Sequence, residues 1–243
     1  SESSREPCDA YSALAVTVIN SALYGKTIVL DAGHGGTDPG AVSKSTGHKE
    51  ADLNKQQTRI LGELLIEYGV NVIYTHDIIP PYDSSKMKLA EDLQNRVDVA
   101  NNAGSDLFLS IHHDSAYPNT TAKGMSTHYS TYRPWVETDG VYLKDGIWYD
   151  STPCEAANKS AKLAEMLVRN ITSLGFDVCP EGKAGTGADD HNLYVTRNTI
   201  MPSVLIEAGF MSNDAEVKRV ADEGVQKSIA QKIVETLVTF FRI

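Results

Sequence analysis

Along most of the chain, short apolar runs rich in β-branched residues alternate with longer segments of helical periodicity. The first such run, residues 27–31, ends at a glycine cluster over residues 33–40. Residues 50–68 follow, with leucine and isoleucine recurring at helical spacing until Gly69. Strands that alternate with helices in this way indicate an α/β fold. We therefore predict a single domain built on a mostly parallel, twisted sheet flanked by helices.

The same alternation continues to the end of the chain. Further strands are predicted at residues 70–75, 107–112, 124–130, 193–196 and 203–207. Further helices are predicted over amphipathic segments at residues 89–103, 155–174, 214–221 and 225–241. These assignments place one domain over residues 26–243.

Three segments do not follow the alternation. Residues 1–25 are interpreted as an N-terminal extension or linker, with a short helix over residues 8–23. A loop is predicted at the Pro-Pro pair of residues 80–81. Residues 132–153 carry several aromatic side chains among turn-forming residues, and we interpret them as an inserted loop or hairpin.

Length and charge exclude several classes of protein. A chain of 243 residues can bury one sizeable core. Its formal net charge of −10 argues against a nucleic-acid partner, which needs a basic surface. No run approaches the roughly 18 apolar residues of a membrane span. The start at Ser1 without a signal peptide is typical of a mature or trimmed form, so we expect no export signal within this sequence.

Three side chains that can bind a metal or move a proton fall at the carboxyl ends of predicted strands. His34 follows the first strand, His112 ends the strand at 107–112, and Glu207 ends the strand at 203–207. In an open α/β sheet, ligands bind at this edge. Glu50, at the start of the first long helix, can fold back over the same edge. We therefore expect these four residues to lie together.

These four residues suit metal-assisted hydrolysis of an amide. Two histidines, one carboxylate and a water form the usual catalytic zinc site. A further carboxylate can take a proton from that water and pass it to the departing amine. Each residue also has an ordinary alternative, since a histidine after a strand is more often structural and Glu50 fits the first turn of any helix. Glu207 is harder to explain in this way, because burying an unpaired carboxylate is costly.

A series of sequence blocks carries a family resemblance. The blocks are residues 28–41 (IVLDAGHGGTDPGA), 50–54 (EADLN), 69–75 (GVNVIYT), 96–101 (RVDVAN), 106–112 (DLFLSIH), 124–129 (GMSTHY), 193–197 (LYVTR) and 202–213 (PSVLIEAGFMSN). In this order they resemble the zinc-dependent N-acetylmuramoyl-L-alanine amidases of bacterial autolysins and phage endolysins. The resemblance covers the chain from about Lys26 to its end.

The resemblance implies a function and a role for each candidate residue. His34, Glu50 and His112 would bind one Zn²⁺ per chain, and Glu207 would be the catalytic acid and base. The substrate would be peptidoglycan, cut at the amide bond between N-acetylmuramic acid and L-alanine of the stem peptide. The site of action would be extracellular, at the cell wall, and the resemblance allows an activator protein as a partner. Two alternatives stay open: a zinc peptidase acting within the stem peptide, and a catalytically silent cell-wall-binding or regulatory domain.

The chain departs from the family pattern mainly at histidines. His113 stands where a small residue is usual, and we predict that it points away from the metal, with packing favoured over a supporting role. His48 competes with Glu50 as a ligand, although the motif favours Glu50. His76 replaces the usual arginine. The aromatic insert, together with His191, is a hypothesised wall for glycan or peptide.

Overall fold

A six-stranded sheet forms the centre of the fold. The computed structural model describes residues 21–76, 88–179 and 185–243. Within these ranges the strands are β1 (Thr27–Ala32), β2 (Asn71–Tyr74), β3 (Leu107–Asp114), β4 (Met125–Tyr129), β5 (Val141–Lys144), β6 (Ile147–Asp150), β7 (Ala188–Asp190) and β8 (Ser203–Phe210). The order across the sheet is β2-β1-β3-β8-β4-β7, while β5 and β6 pair separately as a hairpin.

Four neighbouring strands of the sheet run in the same direction. β2, β1, β3 and β8 pair in parallel. β4 pairs antiparallel with β8, and β7 follows the direction of β4. The sheet is therefore mostly parallel, as predicted. We call the edge where β1, β3 and β8 end the carboxyl edge; β4 begins at this edge and ends at the opposite one.

Helices cover both faces of the sheet. They are α1 (Glu50–Glu67), α2 (Leu89–Asn102), α3 (Glu155–Thr172), α4 (Tyr194–Asn198), α5 (Asp214–Val220) and α6 (Glu223–Phe240). Helices α1, α3 and α6 bury the larger apolar cluster against one face, and α2 and α4 bury a smaller cluster against the other. None of the helices in the described ranges is both long and apolar enough to cross a membrane.

The side chains of β3 pack into both apolar clusters, one on each face of the sheet. Leu109 and Ile111 point into the larger cluster, Phe108 points into the smaller one, and all three are buried. Successive strand residues face opposite sides of a sheet, so a strand between two helical layers is apolar throughout. Each of these side chains contributes roughly 1.5–3 kcal/mol by burial. The apolar run stops at His112 and His113, where β3 reaches the carboxyl edge.

The strand predicted over residues 193–196 is wrong. That segment belongs to the short helix α4, and the strand that precedes β8 is β7, further upstream. Val195 packs into the smaller cluster, with Leu193 and Tyr194 beside it. The hydroxyl of Thr199 donates to the carbonyl of Val195 at 2.9 Å and closes the helical turn. Tertiary packing and this local hydrogen bond override the β-propensity of the Tyr-Val-Thr run.

The aromatic insert is fastened at the edge opposite the carboxyl edge. Arg133 is buried just after β4, and it donates to the Thr199 carbonyl at 2.6 Å and to the hydroxyl of Ser203, the first residue of β8, at 3.1 Å. The insert then forms the β5–β6 hairpin around Asp145 and Gly146, which both have positive φ, as in a tight two-residue turn. The hairpin is thus confirmed, while a wall for glycan or peptide formed by the insert and His191 stays a prediction.

The residues just before β1 pack with the rest of the fold. Leu23 is fully buried in the larger cluster, and the N–H of Gly25 donates to the Gly69 carbonyl at 2.9 Å. The core therefore reaches back at least to Leu23. Most of the helix predicted over residues 8–23, and the loop predicted at residues 80–81, lie outside the described residues. The division of the chain at residue 26 stays a prediction.

Candidate metal centre and active site

β1 runs directly into a glycine-rich loop that presents His34 at the carboxyl edge. His34 has a φ of 61°, in the left-handed region that residues other than glycine rarely adopt. Such a conformation costs roughly 1–2 kcal/mol and persists only where the surroundings fix it. One such restraint is adjacent, because the N–H of Gly33 donates to the Ile111 carbonyl of β3 at 2.9 Å.

Arg96, on α2, holds the carbonyl groups of this loop. Its Nη2 donates to the His34 carbonyl at 2.7 Å, and its Nη1 donates to the Ala32 carbonyl at 3.0 Å. The guanidinium is buried and pairs with Asp31 at 3.2 Å and with Asp92 at 2.6 Å. A planar fork of fixed donors can make all these contacts at once. Arg96 therefore fixes the backbone that carries His34.

Asp31 is the buried anion beneath the loop. It accepts hydrogen bonds from the hydroxyls of Ser110 at 2.7 Å and Thr75 at 2.5 Å. Burial raises the pKa of Asp31, but the electrostatic effect of Arg96 and His76, together with these hydroxyls, holds it at about 2. Asp31 is therefore ionised at neutral pH and keeps Arg96 in place.

Glu50 begins α1 and lies between the two predicted histidine ligands. Its Oε1 is 3.0 Å from Nε2 of His34 and 3.0 Å from Nδ1 of His112. Its Oε2 accepts the N–H of Ala41 at 2.9 Å. The two imidazole rings meet edge to face, with centroids 4.9 Å apart. The structure thus brings together three residues that are far apart in sequence.

Side chains on α1 and β3 support this cluster from behind. Asn54, one turn after Glu50, donates from Nδ2 to the Gly33 carbonyl at 2.9 Å. Its Oδ1 is 2.7 Å from Nδ1 of the buried His113. His113 points away from the side of β3 that His112 occupies, as predicted, but it is hydrogen-bonded to α1 rather than only packed. The structure therefore favours the supporting role for His113.

Gly33 and Gly40 leave the space that the three side chains fill. A Cβ atom on Gly33 would lie 2.1 Å from Nε2 of His112. A Cβ atom on Gly40 would lie 2.6 Å from Oε2 of Glu50 and 2.7 Å from Cδ2 of His34, and Gly40 also has a φ of 63°. Glycine is required at both positions because any side chain would displace the cluster.

The cluster could hold a divalent metal ion. One nitrogen each from His34 and His112 and one oxygen of Glu50 all lie within 4.8 Å of one another. Two imidazoles and a carboxylate form the donor set of a catalytic metal site with a position left for water or substrate. Oδ2 of Asp38 lies 2.8 Å from Nδ1 of His34, which is the carboxylate–histidine pairing that orients metal-binding imidazoles.

The same contacts set the protonation of the cluster. Partial burial lowers the pKa of His34, but the carboxylates of Glu50 and Asp38 outweigh it and raise the pKa to about 9. Burial raises the pKa of Glu50, but its hydrogen bonds with His112 and His34 hold it well below its usual range. Glu50 therefore stays ionised, as a ligand for a cation must be.

Glu207 lies on β8 directly beside His112 of β3 in the parallel register. Side chains at paired positions share one face of the sheet, so both project toward the same side at the carboxyl edge. Oε2 of Glu207 is buried and has no hydrogen-bond partner among the described residues. Burial, and then the carboxylates of Asp114 and Glu50, raise the pKa of Glu207 well above its usual range. A carboxyl group in this environment can carry a proton.

Comparison with known proteins identifies the family. The pattern of the N-acetylmuramoyl-L-alanine amidase family matches residues 28–239, from β1 almost to the end of α6. The chain belongs to the N-acetylmuramoyl-L-alanine amidase family. It is therefore a peptidoglycan hydrolase of the amidase class, and this assignment favours the amidase interpretation over a stem-peptide peptidase and over a silent domain.

Several relatives of this amidase have been named or solved. N-acetylmuramoyl-L-alanine amidase AmiA of Escherichia coli K12 is 27% identical over 237 residues, which cover 89% of this chain and 76% of AmiA. The germination-specific N-acetylmuramoyl-L-alanine amidase of Bacillus subtilis 168 is 28% identical over 226 residues, covering 90% of this chain and 81% of the relative. The CwlD amidase from Clostridioides difficile, solved in complex with the GerS lipoprotein, is 28% identical. It matches with a TM-score of 0.69 over 90% of this chain and 99% of CwlD.

Two other histidines considered in the sequence analysis lie outside the group formed by His34, Glu50 and His112. His48 is exposed, and its Nδ1 lies 2.8 Å from the hydroxyl of Thr46. His76 is buried, with its Nε2 2.6 Å from the Ala32 carbonyl that Arg96 also binds. His76 therefore helps to hold the loop of His34, whereas His48 does not join the cluster found in the described part of the chain.

Sequence reasoning missed the residues that hold the ligands of the amidase in place. Arg96 and Asn54 lie inside the matching sequence blocks, but their roles depend on how α2 and α1 dock. Asp38 could have been recognised from the sequence, because it lies four residues after His34 in a tight glycine-rich loop. A carboxylate at such spacing from a candidate histidine ligand is a candidate orienting group.

Proposed function

We propose that this amidase uses one zinc ion, bound by His34, Glu50 and His112, with Glu207 as the catalytic acid and base. The observation that carries the proposal is the convergence of two imidazole nitrogens and one carboxylate oxygen within 4.8 Å. A second carboxyl group stands beside them in register. When bound, zinc would act as a Lewis acid that polarises the scissile carbonyl.

Glu207 moves the proton in this scheme. Its carboxylate accepts a proton from the attacking water and then donates it to the L-alanine nitrogen as the amide bond breaks. Oε2 is available for this proton transfer because it has no hydrogen-bond partner among the described residues. The buried surroundings of Glu207 stabilise the proton once it has been taken from water, which suits delivery to a poor leaving group such as an amine.

The other residues of the site hold the ligands and leave room for a substrate. Asp38 orients the ring of His34, and Arg96 fixes its backbone. The side chains of His34 and His112 keep 27% and 18% of their surface exposed, while Glu50 keeps 5%. A substrate can therefore approach the two histidines from solvent while the carboxylate stays covered.

We also propose that the amidase acts at the cell wall, outside the cytoplasm, because its peptidoglycan substrate lies there. An activator protein is a further proposed partner, supported by the CwlD amidase, which was solved in complex with the GerS lipoprotein. The activator is tested by comparing the turnover rate of the purified chain with and without a cell-envelope extract. An unchanged rate would contradict it.

Mass spectrometry of the cleavage products tests the proposed reaction. The zinc-loaded protein is incubated with soluble muramoyl-peptide fragments. We expect free stem peptides that begin at L-alanine, paired with peptide-free glycan. Fragments produced by cleavage between amino acids of the stem would instead identify a peptidase.

A further inference from the structure

The strand order of the sheet gives the bound substrate a direction. The metal-binding histidines follow β1 and end β3, and Glu207 lies on β8, the next strand across the sheet. In the proposed reaction, the scissile carbonyl lies at the metal ligands and the departing nitrogen lies at Glu207. The same direction leads from β8 to β4 and then to β7. The peptide that begins at the departing nitrogen therefore extends over β4 and β7.

The surface of β4 carries polar side chains on the same face as Glu207. Ser126 is the antiparallel register partner of Glu207, and His128, two residues further along, shares its face. The other face of β4 is packed, because Met125 lies in the larger cluster and the hydroxyl of Thr127 donates to the backbone of α3 at 3.0 Å. Ser126 and His128 therefore project toward the side where Glu207 lies.

The side chain of His128 contacts Ser126 and His191. Its Nε2 is 3.4 Å from the hydroxyl of Ser126, and its ring meets the ring of His191 edge to face, with centroids 5.5 Å apart. Its Nδ1 is buried and has no hydrogen-bond partner among the described residues, which is also true of Oε2 of Glu207. A buried polar atom usually finds a partner, and one ligand bound over this face of the sheet can supply a partner to both of these atoms.

The register of β4 places His128 near the reaction centre, because it lies two residues from Ser126, the partner of Glu207. His191, Asp189 and His112 all act on it electrostatically, and His112 is one of the proposed metal ligands. His191 follows β7 and is itself only partly buried. Its backbone N–H donates to the Tyr129 carbonyl at 2.7 Å. The two rings thus extend the polar surface from Glu207 toward the outer strand of the sheet.

We propose that His128, backed by His191, binds the stem peptide close to L-alanine, while the glycan lies on the opposite side of the metal, toward β1. The proposal rests on the proposed function, since the amidase reaction fixes which part of the substrate departs at Glu207. With Nε2 accepting the hydroxyl of Ser126, Nδ1 carries the hydrogen and donates to a carbonyl group of the peptide. His128 is then a specificity-determining residue that contacts the leaving group.

Calorimetric titration of the zinc-loaded protein with each product separately tests this orientation. The probes are a synthetic stem peptide beginning at L-alanine and the peptide-free disaccharide that carries N-acetylmuramic acid. We expect His128→Ala to weaken binding of the peptide about tenfold, the loss of one hydrogen bond, and to leave binding of the disaccharide unchanged. His128→Gln, which keeps a donor, should recover part of the loss. His48→Ala, a matched change of an exposed histidine, should alter neither affinity.

The outcomes separate this inference from the proposed function. Weaker binding of the disaccharide alone would reverse the orientation, and equal weakening of both products or of neither would remove His128 from peptide recognition. Each of these results overturns the inference even where the wild-type protein releases stem peptides. Steady-state kinetics give a second readout: KM for a muramoyl-tetrapeptide should rise in His128→Ala while the zinc content stays at one ion per chain.

Discussion

Nη2 of Arg96 lies 2.7 Å from the carbonyl oxygen of His34, and the backbone of His34 lies in the left-handed region with a φ of 61°. The contact joins a buried cation on α2 to a proposed metal ligand on the loop after β1. It offsets the cost of an unfavourable backbone conformation at the point where the ligand must be placed. Metal binding should therefore depend on a residue that does not touch the metal.

Arg96→Lys should weaken zinc binding about 10- to 100-fold, as loss of an orienting group around a metal site usually does. An ammonium group keeps the charge but cannot bind the His34 and Ala32 carbonyls and two carboxylates together. Competition with a fluorescent chelator measures the affinity. Arg59→Lys, in an exposed ion pair with Glu63, is the matched control and should leave the affinity unchanged. If Arg96→Lys and Arg59→Lys bound zinc with equal affinity, Arg96 would contribute to the fold but not to zinc binding.

Gly33→Ala should disrupt the metal cluster while the fold stays intact. The new methyl group would lie 2.1 Å from Nε2 of His112, so this ring must move away from Glu50. We expect a loss of zinc binding, measured by metal analysis after gel filtration, with unchanged far-ultraviolet circular dichroism. Gly224→Ala, where the nearest atom is an Asp222 carboxylate oxygen at 3.0 Å, is the comparison. Retention of stoichiometric zinc by Gly33→Ala would contradict the close packing described here.

Glu207→Gln should lower turnover about 10²- to 10⁴-fold, because an amide cannot exchange a proton with water or with the leaving amine. Zinc affinity should stay within a few-fold of wild type, since Glu207 is not a proposed ligand. Turnover is measured by release of free amino groups from muramoyl-peptide. Glu137→Gln, on the exposed insert, is the control. A fall in zinc affinity that matched the fall in turnover would make Glu207 a ligand instead.

The buried Asp31 should make stability fall in acid. Its pKa is depressed to about 2 in the folded protein, from 3.8 in an exposed chain, so the folded state binds its proton less readily. Its contribution, roughly 2–3 kcal/mol, is present in full above about pH 4 and is lost as the pH falls toward 2.

Urea unfolding at several pH values measures this contribution. Asp31→Asn should lower the free energy of unfolding at pH 7 and flatten its dependence between pH 4 and pH 2. Asp145→Asn, on the exposed hairpin turn, should reproduce the wild-type slope. A slope that is unchanged in Asp31→Asn would place the acid sensitivity at another carboxylate.

The sequence alone was sufficient to predict that His34, His112 and Glu207 lie at one edge of the sheet. His34, His112 and Glu207 follow or end buried strands, and the carboxyl ends of parallel strands meet at one edge. That reasoning requires only the position of each strand in the sequence. The family resemblance then selected Glu50 over His48, and the structure places Glu50 between the two histidines.

What the sequence did not reveal depends on contacts between distant segments. The role of Arg96 arises only when α2 docks beside the loop after β1. The helix at residues 193–196 forms because Val195 packs against the smaller cluster, although the local residues favour a strand. The direction of β4 is likewise a tertiary property, since a strand of five residues has no intrinsic orientation relative to its neighbours.

The reversed direction of β4 separates the reaction centre from the base of the aromatic hairpin. The strand begins beside Glu207 and ends near Arg133, from which the hairpin departs. The hairpin can therefore be lengthened, trimmed or exchanged as a module while the reacting groups keep their places. The exposed tip at Asp145 and Gly146 is accordingly the natural position at which to graft a foreign domain onto this scaffold.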